Sequence, residues 1–260
     1  MELPGGALAA ADAAADLTGA VIRPLFGSGL LVEAKGDASP VTEADRAAEQ
    51  AMRGLLRERF PTHGILGEEF GPERMDAEWL WVLDPIDGTR AFVTGRPLFG
   101  TLIGLLRQGR PVLGLIDQPG IGERWIGVAG EPTRFHSPLG GTPRCRPCAG
   151  LASAELSCTS PDIFTAETRP GFKRLRAAAR RVTWGGDCYA YGLLALGLVD
   201  VVVEAGMQPW DWAALVPVVE GASGSVTDWR GEPLTSGGDG RVLALGDPAL
   251  LPEAVALLRG

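Results

Sequence analysis

Two aspartates, Asp84 and Asp87, close an apolar run at residues 79–83 and sit in the passage Asp-Pro-Ile-Asp-Gly-Thr. The run reads as a buried strand, with Pro85 and Gly88 marking the turn that follows it. Carboxylates at the end of a buried strand are costly unless something cationic meets them. A short way upstream, Gly67-Glu68-Glu69 ends a second apolar run, Ile65-Leu66, in acid. Three or four carboxylates converging on strand ends form the kind of oxygen site that holds hard divalent cations such as Mg2+. The same aspartates would also serve as N-caps on a solvated loop, and spacing alone leaves both readings open.

The elements that must position these groups are legible as patterns. Residues 8–26 are alanine-rich, with apolar positions at helical spacing. A turn-rich stretch from Lys35 then leads to a helix start at which Thr42 is the expected N-cap and Asp45 an acid in the first turn. That helix is expected to run to Phe60 and stop at Pro61. After the Asp84–Thr89 passage, residues 98–106, 111–117 and 123–129 read as strands of an antiparallel meander, with a hairpin turn at Gln108-Gly109. Residues 130–150 shift to Pro, Gly, Thr and Arg, which marks a boundary between two lobes, 1–135 and 136–260, of a single compact unit. Beyond it come a strand at 155–158, a helix at 172–180 and a Gly185-Gly186-Asp187 turn into a helix reaching Leu196. A strand at 199–203 ending in Glu204, a helix from Trp210-Asp211 to Gly221, a strand at 242–245 and a last helix complete the chain.

Bulk properties narrow the function classes. The chain has 260 residues, 45% hydrophobic and 22% charged, enough for a substantial core. A formal charge of −8 argues against nucleic acid or an anionic membrane as the main partner. Residues 1–17 lack a basic n-region, and no apolar run reaches the ~18 residues needed to span a bilayer, so a cytoplasmic protein is expected. Four cysteines are too scattered for a disulfide framework, and Cys145-Arg-Pro-Cys148 is a lone CxxC that leaves a zinc site open. With only His63 and His136 present, a histidine-rich metal cluster or a histidine nucleophile is disfavoured.

Taken together, Gly67-Glu68-Glu69, Asp84 to Thr89 and Trp210-Asp211 resemble the acidic motifs of the metal-dependent, lithium-sensitive inositol monophosphatase superfamily. The likeness extends from the Lys35 to Asp45 segment to the Gly-Ala-Ser-Gly-Ser-Val run at 221–226, nearly the whole chain. It implies an α/β fold of layered α+β type, an αβαβα five-layer sandwich of the inositol monophosphatase/fructose-1,6-bisphosphatase kind, and a homodimer. Residues 90–103 and 186–191 are most similar to the histidinol-phosphate phosphatase branch.

The resemblance also implies roles. Glu68, Asp84 and the carbonyl of Ile86 match ligands of one Mg2+; Asp84, Asp87 and Asp211 match those of a second, with two or three ions expected per active site. Cations on both sides of a phosphate stabilise the attacking and leaving oxygens of an in-line displacement. Gly88 and Thr89 would offer backbone N–H groups to the phosphate. Thr89 and Asp45 match the pair that orients a metal-activated water, and with Glu68 they form the catalytic group. Asp45 would otherwise be a simple first-turn acid. Asp211, near a helix start, has the same capping alternative.

Substrate choice must come from outside the metal cluster. Glu204 matches the position that contacts the organic part of the substrate, and Asp187 stands at the edge of the same expected pocket. Two carboxylates there favour a cationic amine such as that of L-histidinol phosphate. Asp187 would also suit the N-cap before Cys188. The expected activity is hydrolysis of a small phosphomonoester, with inositol or sugar phosphates as the alternative substrates. A Mg2+- or phosphometabolite-binding regulatory protein is the non-enzymatic alternative, and a CxxC zinc module a third.

Overall fold

Two β-sheets, of seven and five strands, alternate with helices to give five layers in the computed structural model, which describes residues 3–27, 33–34, 40–41 and 43–259. Helix α1 (Ala7–Ile22) is followed by a two-stranded ribbon of β1 (Glu33–Ala34) and β2 (Pro40–Val41), then by α2 (Glu43–Arg59). The large sheet comprises β3 (Gly64–Gly67), β4 (Gly71–Glu73), β5 (Trp79–Asp87), β6 (Gly100–Arg107), β7 (Arg110–Gln118), β8 (Glu123–Val128) and β9 (Arg134–His136), with the short helix α3 (Thr89–Val93) between β5 and β6. Then come β10 (Glu155–Cys158), α4 (Arg169–Ala178), β11 (Arg181–Trp184), α5 (Asp187–Ala195), β12 (Val201–Glu204), α6 (Pro209–Trp212), α7 (Leu215–Gly221), β13 (Ser225–Thr227), β14 (Val242–Leu245) and α8 (Leu251–Arg259). The small sheet has the order β11-β10-β12-β14-β13. Thr42 and the 35–39 stretch lie outside the described residues.

Alternation along the strands assigns each face to a layer. In β5, Trp81 and Leu83 enter a core with Ala11, Ala14, Met52 and Leu56 of α1 and α2, while Val82 points the other way into the core between the sheets. In the small sheet, Val201, Val203, Leu243 and Leu245 face Phe172, Leu175 and Leu258 of α4 and α8, whereas Val202, Val242 and Ala244 face the central layer. Both faces are covered, so β6 and β7 are buried along almost their whole length and read as continuous apolar runs.

The central helices lie unusually close to the large sheet. Gly104, Gly114 and Gly127 are direct cross-strand partners on β6, β7 and β8 and form a bare row across it. Ala213 and Ala214, which link α6 to α7, and Pro217 of α7 press onto this row. A Cβ on Gly114 would collide with the Ala214 carbonyl, and one on Gly127 with the backbone of Pro217. The close approach fixes the height of α6, and α6 carries Asp211.

The sandwich expected from the resemblance is the one found. Several local expectations differ. Helix α1 ends at Ile22, with Arg23 still in helical geometry as its C-cap, because Pro24 has no N–H to carry the backbone ladder further. The helix after Trp210 is two pieces, α6 and α7. Strands β4, β9, β11 and β13 are three or four residues long and lie at or next to sheet edges, too short to show a period of their own.

The glycine row gives a direct test. Gly114→Ala should lower stability by about 1–3 kcal/mol, because the obstacle is backbone rather than a side chain that can turn away. For a chain of this size that is a fall of ~2–12 °C in Tm by thermal denaturation. Gly5→Ala, whose added Cβ meets nothing, should leave Tm unchanged. Equal melting of the two variants would contradict the close-packed row.

Candidate active site

In a regular strand Asp84 and Asp87, three residues apart, would point to opposite faces of the sheet. The strand does not stop at a turn after Asp84, as its Pro85 suggests; it runs on through Asp87, and the register against β6 shifts between the two aspartates. That irregularity resets the alternation. As a result one carboxylate oxygen from each of Asp84, Asp87 and Asp211 lies within 4.8 Å of the others. Local bonds hold the shape. Ile86 N donates to Asp84 Oδ1 at 3.0 Å, Thr101 Oγ1 to the Pro85 carbonyl at 2.8 Å, and Thr89 Oγ1 to the Ile86 carbonyl at 3.0 Å. Gly88 follows with φ of +86°, and a side chain there would meet both the Leu98 carbonyl and the Asp187 carboxylate.

Capping is present alongside the cluster rather than instead of it. Asp211 is the third residue of α6 and accepts from Gln208 N at 2.7 Å in a capping box. Asp87 caps a helix distant in sequence, accepting from Cys188 N at the start of α5. Asp187 does not cap its own helix. It is the first residue of α5, in the left-handed region with φ of +42°, and its side chain bonds to Thr159.

Two adjoining cavities open here, of about 300 and 170 Å3, sharing Asp87, Thr159, Ile163, Asp187 and Asp211. The larger adds Glu68, Asp84, Ile86, Gly88, Thr89 and Arg90; the smaller adds Glu204, Tyr191 and Met207 among others. Six carboxylates thus line the joint space, and Arg90 is the only basic residue lining it among the described residues. Asp45 is buried on α2 near Asp84 and lines neither cavity. The Thr89 proton points to Ile86 rather than toward Asp45.

The electrostatics follow from this crowding. Burial pushes Asp84 well above the usual carboxylate range, and the charges of Glu68, Asp87, Asp211 and Asp45 add to it. Asp87 is raised likewise by burial and by Asp187 and Asp211, against the opposing bond from Cys188. Burial raises Asp187 to about 6 although Arg96 and Arg90 pull it down. Glu204, 5% exposed and accepting from Thr159 N at 2.7 Å, is raised by burial to about 8. Carboxylates this destabilised as anions fit a divalent cation, whose field would restore their charge. Hard oxygen donors of this kind suit Mg2+ better than a soft metal.

The CxxC forms no such group. Cys145 and Cys148 are free, and their thiols bond to the separate carbonyls of Leu194 and Gly150. Among the described residues the aspartate trio is the one cluster with metal-binding geometry. Sequence reasoning does not single out Thr159, Ile163, Tyr191 or Met207 as site residues; Tyr191 closes the 186–191 segment without a role of its own, and the fold brings all four here.

A family model described as the inositol monophosphatase family matches residues 7–259. The chain is 48% identical over 226 residues to the bifunctional phosphatase IMPL2, chloroplastic, of Arabidopsis thaliana, covering 86% of this chain and 64% of that protein. It is 37% identical to a histidinol-phosphatase of Chlorobaculum parvum, covering 88% of each. Among solved structures, an inositol monophosphatase from Zymomonas mobilis superposes with a TM-score of 0.89 at 48% identity, covering 97% of both chains.

A metal requirement can be read from stability without any substrate. Mg2+ at about one hundred times its Kd should stabilise the protein by about 2.7 kcal/mol, a rise of ~5–11 °C in Tm. Asp84→Asn should lose most of that rise, yet in chelator it should melt above the parent, because it removes a buried repelling charge. An undiminished Mg2+ shift in the variant would refute the role of Asp84 as a ligand.

Proposed function

The chain belongs to the inositol monophosphatase family, a family of metal-dependent phosphatases, and on that premise we propose that it is a Mg2+-dependent phosphomonoesterase hydrolysing L-histidinol phosphate. The observation that carries the substrate choice is the acid-rich wall beyond the aspartate trio. Asp187 and Glu204 line the smaller cavity together, with no basic residue lining it among the described residues. A substrate bearing an ammonium group beside its phosphate would relieve both carboxylates and gain charge-assisted bonds to them. An uncharged polyol would leave them crowded.

Mg2+ held by Glu68, Asp84, Asp87, Asp211 and the Ile86 carbonyl would offset the phosphate charge and acidify a bound water. The remaining work falls to the chain. The N–H groups of Gly88 and Thr89 orient the phosphate, with Gly88 permitting close approach because it has no Cβ. Thr89 Oγ1 accepts a hydrogen bond from the attacking water and turns its own hydrogen from Ile86 toward Asp45. Asp45 holds the proton end of the relay, so no histidine base is needed. Asp211 stays fixed by its capping bond to Gln208 N.

The likeness to a solved inositol monophosphatase supports a second reading, in which an inositol phosphate is the substrate. Phosphate release with Mg2+ present separates the two. Histidinol phosphate should be turned over with kcat/KM at least about tenfold above inositol 1-phosphate. Replacing Asp187 by Asn together with Glu204 by Gln should cost histidinol phosphate about 10- to 100-fold, about 1.4–2.8 kcal/mol, and inositol phosphate far less. Equal or higher efficiency on inositol phosphate would overturn the amine substrate while leaving the phosphatase intact.

A further inference from the structure

Behind the cavity, a buried ion pair joins the helix carrying Asp45 to the hairpin carrying Glu68. Glu49 and Arg53 lie on α2, four and eight residues after Asp45 and so on the same face, and are 0% and 1% exposed. Glu49 Oε2 accepts from Glu69 N at 2.7 Å, while Oε1 accepts from Phe70 N at 3.2 Å and Arg53 Nε at 2.7 Å. Arg53 in turn donates Nη1 to Glu73 at 2.7 Å and Nη2 to the Gly71 carbonyl. Glu68, Glu69 and Phe70 form the tip of the β3–β4 hairpin, closed by the Gly67–Gly71 pair. One carboxylate therefore holds two successive backbone N–H groups of that tip, and its partner arginine holds the returning strand. The carboxylate occupies the space a side chain at position 67 would fill, which explains the glycine that opens Gly67-Glu68-Glu69.

A fully buried acid–base pair is not the cheapest way to join a helix to a hairpin, since apolar residues of similar volume stabilise as well or better. What the pair adds is direction, because charged bonds to N–H groups set where the tip can sit. The geometry points to Glu49 as a positioning residue that fixes the Glu68 carboxylate in the cavity and ties it to the helix of Asp45. This rests on the reading of Glu68 as a metal ligand.

The test is a double-mutant cycle read by Mg2+ calorimetry on the full chain, with circular dichroism to establish folding. Glu49→Gln keeps size but turns an amide N–H2 against N–H donors, so no orientation satisfies all three partners. It should weaken Mg2+ binding at least tenfold, and Glu68→Gln should weaken it as well. In the Glu68→Gln background, Glu49→Gln should have almost no further effect. A merely structural role would lower Tm yet leave Mg2+ affinity within twofold, or act equally in both backgrounds; either result overturns the inference. If Glu49→Gln does not fold, Glu49→Asp, which keeps the charge but withdraws it by one methylene, is read by the same criteria. Unchanged Mg2+ binding in Glu68→Gln would instead remove the ligand reading beneath it, a failure distinct from a silent Glu49.

Discussion

The repulsion among carboxylates gathered at the end of β5 is the constraint around which the rest is built. Asp84, Asp87 and Asp211 come within 4.8 Å of one another, and for Asp84 and Asp87 the neighbouring charges add to a still larger cost of burial. Among the described residues, Arg90 at the cavity wall is the one basic residue lining the site. A fold can hold such a group only by fixing each member from its own element. The register shift in β5 turns Asp87 to the side of Asp84, the Cys188 N–H restrains Asp87, and the capping box restrains Asp211. Hydrogen bonds to carboxylates favour the charged form and oppose the burial that disfavours it.

That demand explains features far from the acids. Asp211 reaches the trio because the α6–α7 segment lies almost on the sheet, which the Gly104, Gly114 and Gly127 row permits. Glu68 lines the same cavity from a hairpin tip gripped by Glu49. Helix α5 places Asp187 at the cavity and lends a backbone N–H to Asp87, so the wall carrying Asp187 and the aspartate cluster are joined by a hydrogen bond. The small sheet contributes Glu204 from the end of β12 and Thr159 from the residue after β10. Both sheets therefore supply one site, and the central helices lie between them.

Much of this is legible in the chain because it is written locally. The run at 79–83 announces β5, and the acids at its end raise a cation site beside the capping alternative. The meander from β5 to β8 follows from apolar runs and the Gln108-Gly109 turn, where φ of +50° and +78° suits a tight hairpin. What is not written locally is register. The glycine row becomes a row only when β6, β7 and β8 pair, and the shift that aligns Asp84 with Asp87 depends on β6. Asp187 shows the limit most plainly. A turn-then-helix pattern suggests an N-cap, whereas the cap of α5 comes from Asp87, a hundred residues earlier, leaving Asp187 to face the cavity. The Glu49–Arg53 pair has the i, i+4 spacing of an ordinary surface pair, and only its burial separates it from one.

Crystals grown with Mn2+ in place of Mg2+, examined by anomalous diffraction, address the central claim directly. At least one peak is expected at bonding distance from oxygens of Asp84, Asp87 and Asp211, with Glu68 turned toward a peak at Asp84. Peaks elsewhere on the molecule, or an aspartate trio that stays metal-free at saturating Mn2+, would contradict a site organised to hold a cation.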